Sequence, residues 1–100
     1  MVGEPDDSVD VWWLDWNDEN VAHIARHEVT RENVEYVLAN APSFFQNLPD
    51  RSATHVMVGY DQTGRVLYVP ILCVEEPGIW RVISAWESRF ARRLLERGQQ

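Results

Sequence analysis

The spacing of hydrophobic residues along the chain changes after Pro42. Before that point, apolar residues recur every three to four positions, and this period predicts helices over about residues 18–26 and 31–40. Thr30 is a capping residue for the second helix, and Pro42 prevents that helix from continuing. The few residues between the two helices predict a tight helix–helix corner.

Other segments have the spacing of strands. Val9–Trp16 is a strand candidate with apolar side chains on both faces, which indicates burial on both sides. After the helices the period is two, and the predicted elements are strands at 43–48, 53–60, 65–74 and 79–85, turns at 61–64 and 75–78, and a helix at 87–97. Consecutive strands joined by short turns pair antiparallel. We therefore expect an α+β fold, an antiparallel sheet of three to five strands with two N-terminal helices and one C-terminal helix.

Length and composition predict a single domain. The chain has 100 residues, 45% of them hydrophobic, and a single cysteine, so no intramolecular disulfide can form. Residues 1–10 carry four acids and are predicted to form a flexible acidic arm, with the domain over residues 11–98. The acidic start and the lack of an apolar leader favour a cytoplasmic protein without membrane contact.

Charge is distributed unevenly between the two halves. The formal net charge is −7, which argues against nucleic acid as a partner. Residues 1–50, however, hold two arginines and eleven acids, whereas residues 51–100 hold seven arginines and five acids. The C-terminal half is therefore basic enough to bind phosphates or an acidic partner.

Two histidines stand one helical turn apart. His23 and His27 fall on one face of the first predicted helix, beside Arg26. Three interpretations are open: half of a metal site, two hydrogen-bonding surface side chains, or a proton-transfer group near a phosphate. Neither a complete zinc-ligand set nor a nucleotide-cofactor motif accompanies them, so we expect no metal and no cofactor.

Arginines and one tryptophan are the remaining candidates for chemistry. Arg65 and Arg81 come from strands, and Arg89 and Arg93 come from the last helix. Such a cluster could hold a phosphate while a base takes a proton from a ribose hydroxyl, or it could pair with the acids of the first half. Trp86, between the last strand and the helix, could stack on a nucleobase or pack against protein.

Four segments resemble the BrnT-type toxins in the same order along the chain. Residues 16–30 read WNDENVAHIARHEVT and are followed by Gly59, by Gly64-Arg65-x-Leu67, and by residues 81–85, which read RVISA and lead into an arginine-rich helix. The resemblance covers about residues 12–97. It departs from the family pattern at Glu28, where the family has glycine, and at Trp86, where the family has arginine.

This resemblance implies a fold and an activity. The implied fold is RelE-like, and the implied protein is a bacterial ribonuclease toxin that a co-encoded antitoxin neutralises, typically a ribbon-helix-helix DNA-binding protein. Carried over position by position, the catalytic set is Arg26, His27, Arg65 and Arg81. Candidate substrate- or partner-binding residues are His23, Trp86, Arg89 and Arg93. A second hypothesis is a catalytically weakened relative that acts as a protein-binding module through its arginines and exposed aromatic residues.

Overall fold

The computed structural model describes residues 2–98 and contains six strands and three helices. In chain order these are β1 (Trp13–Asp15), α1 (Asp18–Ala25), α2 (Arg31–Ala39), β2 (Ser43–Gln46), β3 (His55–Tyr60), β4 (Val66–Glu75), β5 (Ile79–Val82), β6 (Trp86–Glu87) and α3 (Arg89–Gly98). The fold is α+β, with two N-terminal helices and one C-terminal helix, as the pattern predicted. None of the described helices is long and apolar enough to cross a membrane.

The strands form one sheet in the order β1-β5-β4-β3-β2, and β6 pairs with the beginning of β4. All neighbours are antiparallel except β1 and β5, which run parallel. The prediction of a purely antiparallel sheet is therefore wrong, and the sheet is mixed. The turns between β3, β4 and β5 fix the directions of those strands, but no turn joins β1 to β5, so the sequence pattern did not determine their relative direction.

Both N-terminal helices pack on one face of the sheet. The side chain of Asn17 accepts a hydrogen bond from the backbone of Asn20 at the start of α1, and Thr30 and Asn33 form a reciprocal capping box at the start of α2. Their buried side chains join those of the central strands in the larger core, which includes Ile24, Val29, Val34, Val37, Met57, Leu67, Val69 and Ile71.

One glycine and one residue with a glycine-like backbone conformation determine the local geometry on this face. A Cβ atom at Gly59 would lie 2.9 Å from Cγ1 of Val37, so this glycine permits the close approach of α2 to β3. At the corner between the helices, Glu28 has a φ of 61°, the left-handed conformation that glycine favours. Glu28 is also the position at which the BrnT-type pattern has glycine.

The other face of the sheet is partly covered by α3. Ala91 and Leu95 of this helix pack on Val56, Val58 and other residues of a second, smaller core. On β1 the expected burial of both faces does not occur, because the side chain of Trp13 is 59% exposed whereas that of Leu14 is buried.

Pro70 lies within the central strand β4, at a point where a missing N–H is tolerated. The carbonyl of Pro70 accepts a hydrogen bond from Ile83, in the segment that separates β5 from β6. On this side of β4 the neighbouring strand changes from β5 to β6 near Pro70, so the proline does not interrupt a continuous series of ladder hydrogen bonds.

Residues 3–6 lie along the outer edge of β2. Three backbone hydrogen bonds of 2.7–2.9 Å join the two segments, and the carboxylate of Asp6 contacts His55 Nε2 at 3.1 Å. Residues 3–6 thus lie against the sheet, and the flexibility expected for the acidic arm of residues 1–10 stays a prediction.

Candidate functional site

Arg65 is held in a network at the β3–β4 hairpin. Its Nε donates to the carboxylate of Asp61 at 2.9 Å, and its terminal nitrogens donate to the Glu28 carbonyl at 3.0 Å and to Asn33 Oδ1 at 3.3 Å. The hairpin turns through Gly64, whose positive φ of 87° lies in the predicted turn at 61–64. Arg65 thus ties the hairpin to the corner between α1 and α2.

The partner carboxylate of Asp61 is buried. It also accepts hydrogen bonds from Thr63 N at 2.9 Å, from Thr63 Oγ1 at 2.6 Å and from Arg65 N at 3.0 Å. Burial alone would raise the pKa of Asp61, but the hydrogen bonds from Thr63 and Arg65 outweigh it and hold the pKa below its ordinary value. The charged form of Asp61 is therefore the form that the fold stabilises.

Arg81 makes a different ion pair. Its Nε and Nη2 donate to one carboxylate oxygen of Asp15 at 3.0 and 2.8 Å, across the β1–β5 pairing that sets these residues side by side. Both side chains are only about three-fifths covered, with 42% of Arg81 and 38% of Asp15 exposed.

The structure does not bring Arg81 to Arg65. Arg81 pairs with Leu72, two residues along β4 from Pro70, so its side chain leaves the sheet on the face that α3 partly covers. Arg65 is two residues before Leu67, so both side chains point to the same face of the sheet. On that face, opposite to Arg81, Arg65 contacts the corner between α1 and α2. The expected convergence of Arg26, His27, Arg65 and Arg81 on one patch is therefore wrong, because the registers of β4 and β5, which the sequence left open, separate the two strand arginines.

His27 instead lies at the edge formed by β6. Its ring centroid is 6.1 Å from that of Trp86 and 5.9 Å from that of His23, so the two imidazoles and the indole share one exposed shelf. The opposite side of Trp86 contacts Tyr68, with ring centroids 5.0 Å apart and planes inclined by 32°. These four rings form a continuous row around the sheet edge.

Ser84 connects this row to the interior of the protein. It is a buried polar residue whose Oγ lies 3.2 Å from His23 Nε2. With Nε2 of His23 engaged, its Nδ1 is the nitrogen left for a ligand. Sequence reasoning matched Ser84 to the family pattern but did not identify this contact, which depends on the break between β5 and β6.

The exposed arginines follow α1 or lie on α3. Arg26 follows α1 directly, and Arg89 begins α3, where it shares a small cleft with Glu87 and Arg92. Within residues 2–98, Arg26, Arg89 and Arg93 form no side-chain hydrogen bond or ion pair, whereas Arg92 donates to the Gly64 carbonyl at 3.3 Å. Arg92 was not among the predicted site residues.

A cleft of about 520 Å³ lies on the other side of Trp86. Its lining combines a loop, the middle of β4 and the segment before α3, and includes Arg51, Tyr68, Pro70, Ser84, Trp86 and Phe90. Sequence reasoning missed Arg51 and Tyr68 as site residues. The alternation of β4 places Tyr68 on the same face as Val66, but no sequence signal shows which face carries a cleft.

Within the described residues, no group of three or more histidine, cysteine, aspartate or glutamate side chains could hold a metal ion. The arrangement offers instead two neighbouring imidazoles, an aromatic platform and exposed guanidinium groups. These are the groups needed to move protons and to bind a nucleobase and a phosphate. Comparison with known proteins found no matching family model, no matching curated protein and no matching solved structure.

Proposed function

We propose that this protein is a metal-independent endoribonuclease of the BrnT type, the toxin component of a bacterial type II toxin–antitoxin system, with a RelE-like fold. The observation that carries the proposal is the shelf of His23, His27 and Trp86. The two histidines lie within a segment that resembles the family, whereas Trp86 is a departure from its pattern. The resemblance supplies the RNA substrate, and the sequence expectation supplies the cytoplasmic location. The geometry supports His23 and His27 as the catalytic pair, in place of the set of Arg26, His27, Arg65 and Arg81 that the resemblance implies.

The proposed reaction is cleavage by the RNA's own ribose hydroxyl. His27 takes the proton from the 2′-hydroxyl, the 2′-oxygen bonds to the adjacent phosphorus, and the bond from phosphorus to the 5′-oxygen breaks. His23 protonates the leaving 5′-oxygen, so the products are a 2′,3′-cyclic phosphate and a 5′-hydroxyl. Each proton transfer of this kind contributes roughly 10²- to 10⁴-fold to the rate.

Trp86 and the exposed arginines position the substrate. A base stacked on the Trp86 indole lies next to His27, since the two rings are 6.1 Å apart. Arg26 adjoins His27 in the chain, and Arg89 follows Trp86 by three residues. Their unpaired guanidinium groups can hold the charge that develops on the phosphate.

The partner proposed from the family resemblance is a ribbon-helix-helix antitoxin. The exposed Arg89 and Arg93 of α3 suit an acidic segment of such a protein. Binding there would place the antitoxin beside Trp86 and block the shelf.

The test is incubation of purified protein with single-stranded RNA in EDTA. We expect cleavage that leaves cyclic phosphate and 5′-hydroxyl ends and that slows about a hundredfold or more in each of the variants His23→Ala and His27→Ala. Activity that EDTA abolishes, or products with 5′-phosphate ends, would contradict the proposed chemistry.

A second candidate is the catalytically weakened protein-binding module. Two observations favour it: Arg65 and Arg81 are both engaged by carboxylates, and Glu87 lines the same cleft as His27, which Glu28 follows in the chain. Acidic side chains beside the shelf oppose phosphate binding. Tight binding of the antitoxin without any RNA cleavage in EDTA would establish this candidate over the ribonuclease.

A further inference from the structure

We infer that the cleft lined by Arg51, Tyr68 and Trp86 binds one nucleotide of single-stranded RNA, with its base against the aromatic wall and its phosphate at Arg51. This inference deepens the proposed function and rests on it for the identity of the polymer. The chemistry recognised is a planar base joined to a phosphate.

The wall of the cleft suits a planar ring. Tyr68 and Trp86 stand side by side on paired strands, and Phe90 lies 6.4 Å from Tyr68 between ring centroids. Pro70 adds a flat apolar surface next to Tyr68. Stacking between a base and aromatic side chains is tolerant of sequence, because every base has a π-face.

The rim of the cleft suits an anion. The side chain of Arg51 is 62% exposed, and its one ion-pair contact, to Asp50, is long at 3.9 Å. Arg51 and Tyr68 line the same cleft, and the charge of Arg51 opposes the rise that burial causes in the pKa of Tyr68. Across the cleft, Ser88 Oγ accepts a hydrogen bond from Ala91 N, so the first turn of α3 begins at the rim.

The cleft and the histidine shelf are adjacent. Trp86 contributes to both, and Ser84 lines the cleft while it contacts His23. A volume of about 520 Å³ is in the range of small-molecule sites and is sufficient for a single nucleotide. A nucleotide in the cleft would therefore be a direct neighbour of a nucleotide on the shelf.

The polar groups of the cleft favour selection by stacking area. Asn47 already donates to the Ala53 carbonyl and accepts from Leu48 N, and Ser88 Oγ accepts from Ala91 N. Asn47 and Ser88 are thus held by the backbone, and the aromatic wall is the main surface offered to a base. Purines, which have the larger ring surface, should bind more tightly than pyrimidines.

The experiment is an NMR titration of the intact protein with adenosine 5′-monophosphate, uridine 5′-monophosphate, adenosine, inorganic phosphate and a 2′-deoxy oligonucleotide. We expect the adenine nucleotide to bind more tightly than the uracil nucleotide, adenosine or phosphate, with shifts at Tyr68 and Trp86. The oligonucleotide should bind at least tenfold more tightly than the mononucleotide, because it also reaches the shelf. A mononucleotide that binds as tightly as the oligonucleotide would contradict a site for RNA.

Matched variants assign the two ends of the ligand. Arg51→Ala should weaken the adenine nucleotide about tenfold and leave adenosine unchanged, whereas Tyr68→Leu should weaken both. Arg31→Ala and Tyr36→Leu, which alter exposed residues of α2 on the opposite face, are the controls. If Tyr68→Leu fails to fold, binding of the adenine nucleotide by Arg51→Ala still tests the inference, because Arg51 is exposed and its removal should not affect folding. Equal effects of Arg51→Ala and Arg31→Ala, or no nucleotide binding, would overturn the inference.

Failure of the inference and failure of the proposed function are distinguishable. If the protein binds the nucleotides through Tyr68 and Arg51 but does not cleave RNA, the cleft site is supported and the ribonuclease proposal is wrong. If the wild type, Arg51→Ala and Tyr68→Leu cleave RNA with the same KM, the ribonuclease proposal is supported and the cleft site is wrong.

Discussion

The ion pairs of Arg65 and Arg81 combine the same chemical groups in two different settings. The carboxylate of Asp61 is fully buried and receives hydrogen bonds from the turn as well as from Arg65, whereas Asp15 and Arg81 are both partly open to water. A buried carboxylate that loses its partner costs several kcal/mol, but a solvent-exposed pair contributes little. The resemblance placed both arginines in one catalytic set, but in the structure Arg65 stabilises the hairpin and Arg81 makes a partly exposed ion pair.

The shelf differs from both ion pairs. His23 and His27 are exposed, and among residues 2–98 the imidazole of His27 has no hydrogen-bond or ion-pair partner. A side chain that the fold leaves without a partner is available to a ligand. We therefore expect substitutions at the hairpin to change stability and substitutions on the shelf to change activity.

The largest expected effect is that of Asp61→Ala. This change removes the acceptor of four hydrogen bonds and the buried partner of Arg65, and we expect a loss of about 3 kcal/mol or more in the free energy of unfolding. Urea denaturation of the variant and the wild type measures it. A change below about 1 kcal/mol would mean that the buried network does not anchor the hairpin.

The pH dependence of stability identifies the charge of Asp61 separately. Its pKa is depressed in the folded state, so its contribution is fully present above the ordinary value of 3.8 and is lost as the pH falls through the lower folded value. Asp61→Asn should flatten the stability profile in this acidic range. The pKa of Asp6 is also lowered, by hydrogen bonds from Ser8 and His55. Asp6 is present in the wild type and in Asp61→Asn, so its contribution to the pH dependence is the same in both and cancels in the comparison.

Arg65→Ala is expected to have the next largest effect. It leaves the Asp61 carboxylate buried without its cation and removes the link to the Glu28 carbonyl, which should cost about 2 kcal/mol. Thermal unfolding in parallel with Asp61→Ala and the double variant measures the coupling. Strictly additive losses would show that the two side chains do not act as a pair.

Glu28→Gly should stabilise the protein by up to about 1 kcal/mol. Glutamate adopts the left-handed conformation with a steric cost that glycine does not have, and the carbonyl that binds Arg65 is retained. Ala41→Gly is the matched control, because Ala41 has a φ of 53° and lies before β2. Both changes should raise the melting temperature, but only Glu28→Gly, which removes an acidic residue next to His27 in the chain, should accelerate RNA cleavage.

The smallest effect on stability is expected for Arg81→Ala. The pair with Asp15 is partly exposed and subject to screening by salt, so the loss should stay within about 1 kcal/mol and shrink further at high salt. Denaturation at two salt concentrations measures it. A loss as large as that of Arg65→Ala would remove the distinction between the two ion pairs.

Local chemistry made much of the fold predictable from sequence. The Thr30 cap, the Gly64 turn and the three helices appear where the pattern predicted them, because caps, turns and amphipathic periods act over a few residues. The parallel pairing of β1 with β5 was not predictable, since it depends on strands far apart in the sequence.

The candidate site was predictable only in part. The two imidazoles lie close together as expected, but α1 ends at Ala25, so His27 reaches this position from the turn after the helix and not from the helix itself. The partners of Arg65 and Arg81 depend on sheet register, in which a shift of one residue reverses the face of a side chain. The cleft behind Trp86 arises where β5 gives way to β6, and no residue pattern marks that break.

The central claim is that the shelf histidines, and not the strand arginines, carry the chemistry. Single-turnover cleavage of single-stranded RNA in EDTA by His27→Ala and Arg81→Ala, both shown to be folded, tests it most directly. We predict that His27→Ala slows cleavage at least a hundredfold, whereas Arg81→Ala stays within a few-fold of the wild type. The opposite pattern, with Arg81→Ala inactive and His27→Ala active, would contradict the claim.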